Sequence, residues 1–223
     1  MKKTFSILKN GLGVGLIIQL AIGPIFFFVI SLALQKTVFD GLMGVLAATI
    51  VSYIYIALSI LGVGELLENK KVKKVFGIVS SIILVIFGVI IINGAISSGI
   101  SETVVNTTDL FSSFTSVFLL AISNPLSIVF FTGLFSAKAI EYNLQKKELY
   151  LFGLGVGFST IIFMGGSVLF FSLLKGTIPV IVIQILNITV GTLIIGYGLI
   201  RLVQLLKKTT HQPSKLRSEK DIN

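Results

Sequence analysis

Gly23-Pro24 and Asn124-Pro125 are the pairs in this chain whose residue types and setting suggest chemistry. Proline has no backbone N–H and its ring clashes with the carbonyl four residues back, so each pair interrupts an otherwise apolar helix. Proline is tolerated as a first helical residue, with Gly or Asn before it as the cap. Each pair therefore reads as the start of a half-helix. The unpaired N–H groups and positive dipole end of such a start can hold a carboxylate. Freed carbonyls one turn earlier, on Leu20 and Ala121, can accept from an ammonium. Together these groups suit a small zwitterion held by backbone dipoles.

Few other polar groups lie in the same apolar stretches. Gln19, Tyr53 and Asn187 are added as candidate substrate-binding residues, with hydrogen bonding between helices as the competing reading of each. Gln184 and Asn187 are three apart and share a helix face. No stretch carries a charged side chain, so the expectation is a site without a buried charge and transport without an intramembrane carboxylate. No metal site and no cofactor are expected. The chain has no Cys, and its single His211 lies in the polar stretch KKTTHQPSKLRSEKDIN, read as disordered.

The elements that must position these residues follow from composition. Hydrophobic residues make up 54% and charged residues 12%, with a mean hydropathy of +1.02, which places the chain in a membrane. Uncharged runs cover 10–35, 41–64, 75–101, 110–137, 149–174 and 176–200. Each exceeds the roughly 20 residues needed to cross the hydrocarbon core as a helix. The expected fold is an all-α integral membrane protein of six transmembrane helices. The opening MKKTFSILKNGLGVGLIIQLAIG is read as the first span and not as a cleaved leader. If the N-terminus is cytoplasmic, every Lys and Arg except Lys36 and Lys175 falls on the cytoplasmic side, so both termini are expected there. The net charge of +9 is then an orientation signal and implies no nucleic-acid partner.

Pro24 and Pro125 fall at corresponding places in runs one and four. Gly44 and Gly153 open runs two and five, and Gly88 and Gly196 sit late in runs three and six. The chain thus divides into a cytoplasmic N-terminus (1–9), two three-helix repeats (10–101 and 102–206) and a tail (207–223). Three spans per half make the repeat inverted, and matched interruptions in two inverted halves point to a transport site. The pentapeptide GLGVG occurs at 11–15 and at 153–157. No strand precedes it and no Lys-Ser/Thr follows, so it is read as a flat surface for close helix packing and not as a phosphate loop. Thr192 and Gly196 are read the same way. The sequons at Asn106 and Asn187 are read as chance matches.

The IGP segment of the first helix, the SNP-x-x-x-x-FF segment of the fourth, the length and the basic loop after the second helix resemble the LysE/RhtB family of bacterial amino-acid exporters. The resemblance covers about residues 10–205. It implies export of small amino acids or related metabolites across the cytoplasmic membrane, driven by a proton or ion gradient. Family members commonly carry an acidic residue in the second helix, where ATIVSYIYIA (48–57) offers Thr49, Ser52 and Tyr53. Two other classes stay open, a metal-cation or inorganic-ion transporter and a non-transporting membrane assembly subunit. Membrane lipid and a second copy of the chain are candidate partners. Intramembrane enzymology has no nucleophile–base pair to support it.

Overall fold

A computed structural model describes residues 2–20, 23–62, 70–97 and 109–210. His211, the Asn106 sequon and most of the expected tail lie outside the described residues. The described residues are helical almost throughout, as expected where every backbone polar group must be satisfied within its own segment. In order the helices are α1 (Lys2–Gln19), α2 (Pro24–Gln35), α3 (Val38–Ile60), α4 (Lys70–Ser97), α5 (Leu110–Ile122), α6 (Pro125–Glu141), α7 (Lys146–Thr160), α8 (Gly166–Leu173) and α9 (Val180–Thr210). A π-helical turn, Ile161–Gly165, joins α7 to α8. α1 starts well before residue 10, and α9 continues four residues past 206.

Among the described residues, four helical stretches are long and apolar enough to cross a membrane: Val38–Ile60, Gly77–Ile96, Lys146–Leu173 and Ile181–Lys207. The number rises to six if each of two bent pairs is one span. Those pairs are α1 with α2, bent by 83°, and α5 with α6, bent by 65°, and each bend falls at one of the two proline pairs. α1 runs chiefly along α7, α5 along α3, and α4 along α9.

Glycine sets the closest of these approaches. A Cβ on Gly11 would collide with the carbonyl of Phe152, and one on Gly155 with the carbonyl of Leu8. The two GLGVG copies therefore pack against each other, backbone to backbone. The α4–α9 seam uses Gly88 and Gly191, each of whose absent Cβ would lie 2.8 Å from the other's carbonyl oxygen. Here the sequence expectation is corrected. Gly196 has nothing within 4 Å of its Cβ position, and Thr192 is exposed, bonding only to the Ile188 carbonyl of its own helix. A spacing of four names a helix face but not the face that meets a neighbour.

α2 is enclosed on all sides, with every residue from Phe28 to Leu34 buried against α3, α5, α8 and α9. Its far end is tied by polar groups. Asp40 is 0% exposed and forms a capping box with Thr37: Oδ2 accepts from the Thr37 N–H (3.2 Å) and hydroxyl (2.6 Å). Its Oδ1 accepts from the Ser113 hydroxyl on α5 at 2.7 Å. Lys36 Nζ donates to Ser113 Oγ at 3.4 Å, and Lys175 Nζ to the Lys36 carbonyl. A buried carboxylate therefore lies within the Val38–Ile60 span, one residue before the uncharged run 41–64, because the cap that starts α3 is covered by α5. Asp40→Ala should lower stability by about 3 kcal/mol, since a lost cap costs about 1 and a buried hydrogen bond to a charged group about 1.5–3. Ser113→Ala should cost about 2 kcal/mol, leaving the box intact. Thermal unfolding of the detergent-solubilised protein checks both, and equal, negligible shifts would deny the cluster a structural role.

Candidate functional site

Both proline breaks line one cavity of about 720 Å³. Gly23 caps α2 in an extended conformation (φ −111°, ψ 176°) with Pro24 in the first turn, and Asn124 immediately precedes Pro125 at the start of α6. The two starts are built alike. The Gly23 carbonyl accepts from the Phe26 N–H at 3.1 Å, and the Asn124 carbonyl accepts from the Ser127 N–H at 3.1 Å. These bonds take up the N–H of the third helical residue and the prolines have none, so the second residue, Ile25 or Leu126, supplies the first-turn N–H that has no carbonyl within its own helix. A Cβ on Gly23 would meet nothing within 4 Å, so the break itself borders open space.

Of the residues singled out from sequence, Gln19, Gly23, Pro24 and Asn124 line this cavity. Gln19 Nε2 donates to Thr160 Oγ1 at 2.6 Å, joining the last residue of α1 to the residue before the π turn. Tyr53 lies elsewhere: its ring covers Gly157 and its hydroxyl donates to the Leu154 carbonyl at 3.1 Å. Asn187 is buried away from the cavity lining, where its Oδ1 accepts from Ser31 of α2; Gln35 Nε2 in turn donates to Ser31 Oγ at 3.0 Å. The Ala121 carbonyl, expected to wait for an ammonium, accepts from the Asn124 N–H at 3.2 Å. The bent chain satisfies part of its own break.

Several contributors to the site were not among the candidate binding residues read from the sequence. Tyr55 is almost fully buried, borders the cavity, and donates its hydroxyl to the Ile122 carbonyl at 2.7 Å. That bond satisfies a carbonyl which α5 would otherwise leave unpaired where it ends. Ser52, at the stretch where an acid was sought, also lines the cavity, its hydroxyl donating to the Ala48 carbonyl at 2.9 Å. Thr160 and Met164 reach the cavity from either side of the start of the π turn. One extra residue in a helix rotates the following faces by about 100°, and such turns recur at functional sites. Here it allows α7 to face α1 while α8 faces α2. Tyr197 of α9 completes the polar lining.

The walls are otherwise apolar, supplied by Phe26, Phe130, Phe131, Leu120 and Ile194 among others, and among the described residues the lining holds no Asp, Glu, His, Lys or Arg. Such a chamber can orient a small molecule through backbone ends, amides and hydroxyls while burying its apolar part. No curated protein and no solved structure matches the chain. The family model for LysE type translocators matches residues 16–205, from the last turn of α1 through most of α9 and thus across both breaks. With that match covering most of its length, the chain belongs to the LysE type translocator family of membrane transporters.

Proposed function

We propose that the protein is a secondary exporter of amino acids or closely related small zwitterions across the bacterial cytoplasmic membrane. The observation that carries this reading is the meeting of both proline breaks at one cavity. Gly23 and Pro24 on one side, and Asn124 and Pro125 on the other, aim two half-helix starts at the substrate, with Gln19 beside them. The dipole ends favour the carboxylate, and the amides and hydroxyls leave room for an ammonium. An apolar lining without acids suits a neutral amino acid better than Lys or Arg, and it offers a metal cation none of its usual carboxylate, imidazole or thiolate ligands.

The same reading takes the chain as two inverted three-helix repeats with both termini in the cytoplasm. Reciprocal packing favours it: the first helix of each half runs along the second span of the other, α1 on α7 and α5 on α3. The third spans, α4 and α9, pack against each other. With the Lys36 end outside, the enclosed α2 and the Asp40 cluster close the exterior path, leaving the cavity in a form that faces inward.

Cells expressing the protein and loaded with dipeptides should release at least one neutral amino acid faster than cells with empty vector. Unchanged release across all the common amino acids would defeat the reading and favour an inorganic ion as cargo or an assembly role.

A further inference from the structure

α9 carries a charge that the orientation argument treats as a cytoplasmic anchor. Arg201 follows the last uncharged run directly, where an arginine normally reaches into the headgroups. Its Nη1 is instead buried, and among the described residues it has no hydrogen-bond partner. One helical turn earlier, the Tyr197 hydroxyl is also buried, beside a guanidinium that can donate to its oxygen. Tyr197 borders the cavity, and Arg201 stands within electrostatic reach of both Tyr197 and Tyr55, the tyrosine that satisfies the broken end of α5. Gly77 of α4 makes room on the other side, since its absent Cβ would lie 3.5 Å from Nη2. No carboxylate among the described residues pairs with this guanidinium.

A buried guanidinium nitrogen that meets no carboxylate among the described residues is costly, and such a group calls for an explanation. Ionisable side chains at membrane depth also mark substrate paths far more often than they serve packing. We infer that Arg201 and Tyr197 form an anion-binding subsite at the α9 end of the cavity, which takes a carboxylate on its way to or from the two half-helix starts. A guanidinium fork and a hydroxyl supply parallel and lateral donors to a planar carboxylate. The guanidinium donors that Tyr197 leaves over gain a charged acceptor when the anion arrives. The inference rests on the transporter reading only in taking the cavity as a substrate site; it does not require an amino group on the substrate.

The test is thermal stabilisation of the purified full-length protein by L-alanine, L-threonine and L-leucine, by the carboxamide of each, and by propionate. Wild type should be stabilised by at least one carboxylate and not by its carboxamide. Arg201→Gln and Tyr197→Phe should each weaken the apparent affinity about tenfold or more, the order expected when a charge-assisted hydrogen bond is lost. Arg201→Lys should fall between, and Lys207→Gln, which removes an exposed charge of the same helix, should respond as wild type. Arg201→Gln should also stabilise the ligand-free protein, because it removes a half-buried charge that no carboxylate among the described residues offsets. If that variant does not fold, Arg201→Lys and Tyr197→Phe decide alone. The inference is overturned if no carboxylate stabilises wild type, if carboxamides act equally well, or if Tyr197→Phe and the folded Arg201 variants all keep full affinity. Amino-acid efflux that survives those variants would sink the subsite and spare the exporter. Propionate binding through Arg201 without any amino-acid efflux would do the reverse.

Discussion

Pro24→Ala and Pro125→Ala are each expected to insert normally and to lose substrate efflux by about tenfold or more. With alanine in place, the preceding turn can continue into the following helix, and its carbonyls take up the N–H groups that now face the cavity. A partly buried helix end contributes up to about 2 kcal/mol to an anion, and about 1.4 kcal/mol is a factor of ten. Insertion should not suffer, because an uninterrupted apolar helix has fewer unsatisfied groups in lipid. Pro179→Ala is the control, since Pro179 stands just before α9 and its carbonyl only closes the first turn with the Val182 N–H at 2.9 Å. Efflux normalised to membrane expression is the measurement. Full activity in both variants would make the 83° and 65° bends packing devices and remove the reason for placing the substrate between them.

The second large effect concerns stability. Gly11→Ala and Gly155→Ala should each lower the unfolding free energy of the solubilised protein by up to about 3 kcal/mol, the usual upper cost of forcing extra volume into a packed seam. In both cases the new methyl meets backbone, which cannot rotate away. Gly13 lies in the same pentapeptide but has nothing within 4 Å of its Cβ position. Gly13→Ala should therefore be neutral or raise stability by up to about 1 kcal/mol through helix propensity. If all three variants unfold alike, α1 and α7 do not approach as closely as described.

Sequence alone determined the solvent, the secondary structure and the two breaks. Hydrophobicity and charge clustering are local properties, and a lipid environment permits helical segments whose limits can be read off directly. A proline in an apolar run likewise declares a break without help from any neighbour. The same locality explains the glycine result: GLGVG announces a close approach, but its partner is another copy of itself 142 residues away, a fact of packing.

Tertiary structure decided which polar groups share a space. Gln19, Gly23, Pro24 and Asn124 meet at the cavity because the breaks in α2 and α6 face it together, whereas Tyr53 and Asn187, equally polar in the sequence, turn to Gly157 and Ser31. Tyr55 joins the site only because the end of α5 falls beside it. Asp40 and Arg201 each sit one residue outside an uncharged run and read as boundary markers. The burial of Asp40 depends on α5 covering the start of α3, and that of Arg201 Nη1 on α9 continuing past the run alongside α4. A charge beside an apolar run is exposed or buried according to what other helices do, and periodicity carries no record of that.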